Sequence, residues 1–260
     1  MRPAWLAKPA RACYPDSVMS TVKPALKKPL RLPPGSTEAQ RQQRVRPRDA
    51  ATLILKRESS AGPEVLMGQR AGRHKFMPGA YVFPGGKVDG HDAHVRPASR
   101  LSDEVMRHLT RAATPVRAGA IGKTAIRETY EETGLLLAAP GDLGEPSDAT
   151  WAEVKAMGLA PDLRYLAYLG RAITPPGSPI RFHARFLVAD AEHMRGELGG
   201  SGELLNLHWV AIDQALALPI ADVTEFMLIE LKHYLQGDAA VRRKRPLFCY
   251  RNNQAFVTYS

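Results

Sequence analysis

The stretch AIRETYEETGLLL, residues 125–137, contains the most specific chemical pattern in the chain. A helix turns by about 100° per residue, so a helix over this stretch places Glu128, Glu131 and Glu132 on one face. Apolar Ile126 lies on the opposite side and can pack inward. The pattern therefore predicts a helix whose three carboxylates converge on one solvent-side spot.

This helix is predicted to run from about Gly119 to Thr133, and Gly134 suits the left-handed residue that closes many helices.

Clustered carboxylates repel one another unless a cation lies among them. Mg²⁺ and Mn²⁺ take oxygen ligands and often complete their coordination with water and substrate phosphates, so the three acids indicate a metal site and phosphate chemistry. The alternative is a solvated helix face with an ordinary pair between Arg127 and Glu131, worth about 0.2–0.5 kcal/mol. The cluster by itself does not separate the two interpretations.

A second stretch, FPGGKVDGHDAH at residues 83–94, precedes the helix. Pro84 ends a predicted strand, because proline cannot donate to a strand ladder, and two glycines follow it. Between the two stretches, the helical spacing of Leu101, Val105 and Leu109 predicts an inserted helix.

The two stretches resemble the halves of the Nudix box of the Nudix hydrolases, in which Gly and Glu precede an Arg-Glu pair, a Glu-Glu pair and a second Gly. Gly86 begins the match, Asp92 takes the place of the first glutamate, and the second half matches from Arg127 through Leu135. Thr129 fills a place that is usually apolar. The box has seven residues where this chain has 34 between Asp92 and Arg127, and so long an insertion resembles the branch with coenzyme A diphosphatase-like members.

The resemblance implies an α+β Nudix fold, a mixed β-sheet sandwiched between α-helices, with a helical insertion at about 93–118 inside the box. The predicted Nudix domain covers 48–240. Residues 1–47 are predicted to be a flexible basic arm, because their composition cannot bury enough apolar surface, and 241–260 a C-terminal tail.

The remaining elements follow from apolar patterns and turn residues. ATLILKR and EVLMGQR around Gly62-Pro63 predict a hairpin. Residues 162–173 and 180–189 predict two long strands, and a closing helix follows from Val223. The alternation of strands and helices favours a mixed sheet between helices.

Carried over position by position, the resemblance implies metal-ligating, catalytic and substrate-binding residues. The implied ligands of Mg²⁺ or Mn²⁺ are Gly86, Asp92, Glu128, Glu131 and Glu132. The implied catalytic residues are Arg127, Glu128, Glu131 and Glu203. The expected substrate-binding residues are Arg70, Arg73, His74, Lys75 and Arg181.

Several of these roles stay open at the level of sequence. Arg127 is expected to hold a glutamate in place, and any one of the acids could activate water. Asp89 competes with Asp92, and either could simply cap the loop. Glu203 could equally be a solvated residue of a flexible stretch. Arg181, with His183 and Arg185, lines one strand face that either enters the cleft or lies on the surface, and the cations at 70–75 either meet substrate phosphates or form a basic rim.

The net charge of +10 does not predict a nucleic-acid-binding domain. Residues 1–50 hold 11 Lys and Arg against 3 Asp and Glu, whereas the rest holds 25 against 23. Cys13 and Cys249 suit neither a zinc site nor a disulfide framework, so a reducing, cytoplasmic location is expected. No apolar run approaches the ~20 residues of a membrane span, and Met19 is an alternative start.

The resulting prediction is a metal-dependent enzyme that hydrolyses a small organic pyrophosphate, a nucleoside diphosphate linked to a second moiety. Coenzyme A or acyl-CoA is the favoured substrate, with nucleotide sugars and dinucleotides as alternatives. A non-catalytic Nudix-fold sensor is the competing hypothesis, supported by the insertion and by Asp92 in place of glutamate. The oligomeric state, including a homodimer, stays open.

Overall fold

The computed structural model describes residues 45–60, 62–71, 79–237, 244–251 and 254–260. The predicted basic arm falls almost wholly outside these residues, as do Cys13, Arg73, His74 and Lys75. Among the helices of the described part, none combines the length and the apolar character needed to span a membrane.

Strands and helices alternate along the described chain. The strands are β1 (Arg48–Ser59), β2 (Gly62–Arg70), β3 (Tyr81–Val82), β4 (Gly85–Lys87), β5 (Ala138–Pro140), β6 (Leu159–Pro161), β7 (Ala167–Ile173), β8 (Phe182–Asp190), β9 (Leu204–Ala211), β10 (Pro246–Arg251) and β11 (Gln254–Tyr259). The helices are α1 (His91–His94), α2 (Asp103–Thr110), α3 (Pro115–Thr133), α4 (Ala149–Ala156), α5 (Ile212–Ala215) and α6 (Asp222–Leu235).

The main sheet of the described residues is mixed. Its order is β11-β10-β7-β8-β1-β2-β3, with β4 also paired to β1 and β9 to β2. The pairs β1–β8 and β7–β10 are parallel and the other pairs are antiparallel. The predicted hairpin is confirmed, since Lys56 pairs with Val65 in an antiparallel ladder between β1 and β2.

Helices cover both faces of this sheet. Along β1, Leu53 and Leu55 enter a core beneath α2, α3 and α4, while Ile54 points to a second core that includes residues of α6. Alternating side chains of a strand lie on opposite faces, so a strand covered on both sides reads as a continuous apolar run. The predicted α+β sandwich is confirmed.

The insertion forms a helix that packs as the sequence predicts. Ser102 caps α2 by accepting a hydrogen bond from the backbone N–H of Val105, and Leu101, Val105 and Leu109 are buried in the core beside α3. Lys123 of α3 donates hydrogen bonds to the carbonyls of residues 93 and 95, which ties the start of the insertion to the helix that follows it.

Helix α3 begins earlier than the predicted start near Gly119. Thr114 caps it and Pro115 occupies its first turn, where a missing N–H costs nothing. It ends as predicted, with Gly134 at φ 74° in the left-handed region.

Two elements differ from the sequence prediction. The described residues after 243 do not form a separate tail, because β10 pairs with β7 and Phe248 is fully buried. The long strand expected over 162–173 begins only at Ala167. The side chain of Asp162 accepts a hydrogen bond from the Arg164 N–H and so favours a short 3₁₀ turn over a strand.

A buried guanidinium joins the sheet to the insertion. Arg185 on β8 contacts the carboxylate of Asp49 and donates to the carbonyl of Ala112 at 3.1 Å. Arg117 of α3 reaches the same carboxylate at 2.8 Å. The strand face for which both a cleft and a surface position were open is therefore partly used for packing, and Arg181 donates to the carbonyl of Val45 at 2.9 Å.

Replacing Arg185 with Met is expected to lower the free energy of unfolding by about 2–3 kcal/mol, because removing one partner leaves buried polar groups without a hydrogen bond. Urea denaturation measures the change. The matched control is Lys155→Met, which breaks a pair with the exposed Glu145 and is expected to change the free energy by less than about 0.5 kcal/mol. Equal, small effects of both substitutions would contradict a clamping role for Arg185.

The ring of His183 lies among charged groups on β1, β7 and β8. Burial, together with the guanidiniums of Arg185 and Arg171, lowers its pKa from 6.5 to about 4, while Asp49 acts in the opposite direction. The unfolded ring thus takes up a proton near pH 6.5 that the folded ring does not accept.

The free energy of unfolding is therefore expected to fall as the pH drops from about 6.5 towards 4, by about 1 kcal/mol per pH unit from this group. Urea denaturation of His183→Gln across that range should show a shallower pH dependence than the wild type. A wild-type slope in His183→Gln would overturn the prediction.

Candidate active site

The glycine turn and the acidic helix meet in space although the insertion separates them in sequence. The N–H of Gly85 donates to Oε2 of Glu132 at 2.9 Å. The carboxylate of Glu128 lies so close to Gly86 that a Cβ placed there would be 2.1 Å from its Oε2. Both halves of the predicted box therefore form one site.

Arg127 organises the acids of this site. Its Nε and Nη2 atoms donate to the two carboxylate oxygens of Asp92, at 3.0 and 3.2 Å. Its Nη1 donates to both oxygens of Glu131, and its Nη2 pairs with Glu128 at 2.8 Å. The side chain is buried, and these carboxylates raise the pKa of the guanidinium against the effect of its burial. One cation thus fixes the positions of three carboxylates.

Asp92 differs from the expected metal ligand. It is fully buried, and besides Arg127 it accepts hydrogen bonds from Thr124 Oγ1 at 2.6 Å and Trp151 Nε1 at 2.8 Å. Burial would raise its pKa, but these donors hold the pKa below its usual value. Because both of its oxygens are engaged, the carboxylate positions Arg127 and does not face the site. The competing residue Asp89 is exposed and accepts a hydrogen bond from the His91 N–H.

Glu131 is held from outside the box. Thr150 on α4 donates to Glu131 Oε1 at 2.6 Å, in addition to the hydrogen bonds from Arg127. Thr150, Thr124 and Trp151 are not among the residues that the sequence predicts for the site. Thr124 has a detectable signal, since it precedes Arg127 by three positions on one helix face. Trp151 and Thr150 follow in a separate helix, where nothing local marks them.

Glu128 and Glu132 are more enclosed than predicted, since the glycine turn covers the helix face expected to be open to solvent. Burial raises the pKa of Glu128 to about 7, with Arg127 opposing and Glu131 adding to the shift. Burial raises the pKa of Glu132 to about 8, with the Gly85 N–H opposing and Glu128 adding to the shift. Two neighbouring carboxyl groups at low solvent exposure are a set of hard oxygen donors whose ionised forms are disfavoured by burial.

This donor pair fits a divalent cation, which would stabilise both ionised carboxylates. The remaining acid is already engaged, because Glu131 accepts hydrogen bonds from Arg127 and Thr150. Accordingly, the described residues contain no group of three or more His, Cys, Asp or Glu side chains arranged to hold a metal ion. The part of the predicted ligand set that converges is Glu128 and Glu132 beside the backbone of the Gly85–Gly86 turn.

Two further predicted residues approach this pair. Glu203 raises the pKa of Glu132 and Arg70 lowers it, so both lie within electrostatic reach of that carboxylate. The N–H of Ala71 donates to the carbonyl of Glu203 at 3.3 Å, which joins the two segments. Arg181, by contrast, contacts the backbone of 45 and 174 and none of these acids.

Comparison with known proteins agrees with this geometry, although no family model matches the chain. The chain is 31% identical to a NUDIX hydrolase from Alicyclobacillus acidocaldarius, and the match covers 71% of this chain and 90% of that protein with a TM-score of 0.58. It is 32% identical over 134 residues to acyl-coenzyme A diphosphatase NUDT19 of Gallus gallus. That match spans 40% of this chain and only 35% of the relative.

The similarity to a solved NUDIX hydrolase extends over nine tenths of that protein. In this chain the two halves of the box also meet in one site. The chain therefore belongs to the Nudix hydrolase family.

Proposed function

We propose that this protein hydrolyses an organic pyrophosphate, a nucleoside diphosphate linked to a second moiety, with Mg²⁺ or Mn²⁺ bound by Glu128 and Glu132. The observation that supports the proposal is the junction of these carboxylates with the Gly85–Gly86 turn. A bound divalent ion would offset the charge of the diphosphate and lower the pKa of a water molecule.

The residues around the metal-binding pair have distinct tasks. Arg127 orients Glu128 and Glu131, and Asp92 fixes the plane of the Arg127 guanidinium through two hydrogen bonds. Glu131 keeps about a third of its side chain exposed, so it is the acid best placed to orient an attacking water. Glu203 is the second candidate for that task, since it lies near Glu132.

Coenzyme A or an acyl-CoA is the substrate that we favour. The helical insertion and the partial similarity to an acyl-coenzyme A diphosphatase support this choice. Arg70 near Glu132 supplies positive charge for substrate phosphates. Nucleotide sugars and dinucleotides are the alternative substrates.

A non-catalytic ligand sensor is the second candidate function. It is favoured by the engagement of Glu131 with Arg127 and Thr150, which leaves two acids rather than three for a metal. Calorimetry of nucleotide binding with and without Mn²⁺ separates the two functions. A hydrolase requires Mn²⁺ for activity, whereas a sensor binds its nucleotide without metal.

The substitution Glu128→Gln is expected to lower Mg²⁺-dependent hydrolysis by about 10²-fold or more, since an amide cannot supply the charge of a ligand or base. Activity is measured by phosphate-coupled assay on coenzyme A, ADP-ribose, NADH, a nucleotide sugar and a dinucleoside polyphosphate. Glu145→Gln, at a carboxylate that is 92% exposed, serves as the control with wild-type activity. Full activity of Glu128→Gln with an unchanged melting temperature would contradict the assignment.

Adding one methyl group at Gly86 tests the junction itself. In Gly86→Ala the Cβ would lie 2.1 Å from Glu128 Oε2, so the carboxylate must move, and Mn²⁺ affinity is expected to fall by about 10-fold or more. Gly90→Ala is the matched control, because nothing lies within 4 Å of a Cβ there. Isothermal titration with Mn²⁺ measures the difference. Equal affinities in the two variants would show that the glycine turn does not constrain the metal site.

A further inference from the structure

A cavity of about 530 Å³ opens beside the acidic helix. Its walls are the C-terminal turn of α3, one side of α4 and the segment 195–201. Glu131 lines the cavity and pairs with Arg127, which also contacts Glu128, so these two side chains connect the cavity to the carboxylate site. Its volume lies within the range of about 300–1,000 Å³ typical of small-molecule sites.

The charge of the cavity lining is unfavourable for a phosphate. Three carboxylates line it, those of Glu131, Glu153 and Glu197, against the one guanidinium of Arg195. Arg195 Nε donates to the carbonyl of Ala138 at 2.8 Å, so part of this cation is already engaged. An anionic group placed here would meet an excess of negative charge.

The rest of the lining suits an uncharged chain that contains hydrogen-bonding groups. Leu136 and Leu159 provide an apolar wall, and Met157 keeps about half of its side chain exposed at the edge. Tyr130 donates to Glu153 at 2.6 Å, and Ser201 adds a hydroxyl group to the lining. Carboxylates on the rim can accept hydrogen bonds from amide N–H groups.

Positive charge lies on the other flank of the acidic helix. Glu131 and Glu132 flank Glu128 on opposite sides, because they lie three and four positions after it. The cavity adjoins Glu131, whereas Arg70 ends β2, whose partner strand β3 leads into the glycine turn that contacts Glu132. A diphosphate held at Glu128 would thus have an acidic, partly apolar cavity on one side and a cationic residue on the other.

We infer that this cavity binds the uncharged, amide-containing arm of the substrate, while the phosphate-bearing nucleotide extends towards Arg70. The inference rests on the proposed hydrolysis of coenzyme A, whose pantetheine arm has this chemistry. Water attacks one phosphorus of the diphosphate, and the bond from that phosphorus to the bridging oxygen breaks. The products are 4′-phosphopantetheine and 3′,5′-ADP, so each product carries one half of the substrate.

Product inhibition of coenzyme A hydrolysis tests the orientation. Met157→Trp and Ser201→Tyr enlarge two side chains that line the cavity from separate segments, and both positions are exposed, so neither change replaces a core residue. Each is expected to weaken inhibition by 4′-phosphopantetheine by about 10-fold and to leave inhibition by 3′,5′-ADP within about twofold. Val116→Trp, at a residue of α3 that is 70% exposed and does not line the cavity, is the control.

Unchanged inhibition by 4′-phosphopantetheine in both cavity variants would overturn the inference while leaving the hydrolase assignment intact. Weakened inhibition by 3′,5′-ADP alone would reverse the orientation and overturn it as well. If the wild-type protein does not cleave coenzyme A at all, the proposed substrate fails first, and the assignment of the cavity fails with it.

Discussion

The guanidinium of Arg127 contacts three carboxylates from a buried position, and the arrangement of the site depends on it. Asp92 anchors one edge of the planar group, and Glu128 and Glu131 occupy the others. A planar fork with fixed donors can set several carboxylate positions at once, which a lysine ammonium could not do. With Arg127 in place, mutual repulsion among the acids is partly compensated before any metal binds.

The long insertion leaves this arrangement intact because its own core and its ends are both fixed. Its helix buries Val105 and Leu109 against α3, so the inserted chain contributes apolar contacts that offset its ordering. Lys123 holds the start of the insertion, and Arg185 holds the carbonyl of Ala112 near its end. The entropic cost of closing a loop rises only slowly with its length, so an insertion with both ends held adds little to the cost of bringing the two halves of the site together.

The surroundings of the acidic helix are chemically unequal on its two sides. The flank of Glu132 is covered by a backbone N–H of the glycine turn and lies near Arg70. The flank of Glu131 opens onto a cavity with acidic and apolar walls. These two sides would bind the anionic half and the neutral half of an asymmetric substrate differently. The two halves of a symmetric dinucleotide are alike, so they offer no such difference.

Local patterns in the sequence determined the elements that carry the chemistry. The helical spacing of Leu101, Val105 and Leu109, and the terminal glycine at 134, depend only on neighbouring residues, and the structure confirms the helices they predict. The phase of the acids around α3 is equally local. That is why Arg127 and the glutamates could be named before any coordinates.

Only the tertiary structure decided what surrounds those residues. Trp151 reaches Asp92 across 59 positions, and β10 pairs with β7 from the far end of the chain. The enclosure of Glu132 likewise depends on where the glycine turn docks. Such contacts form between surfaces whose fit depends on the whole fold. Local hydrophobic periodicity and capping residues therefore do not predict them.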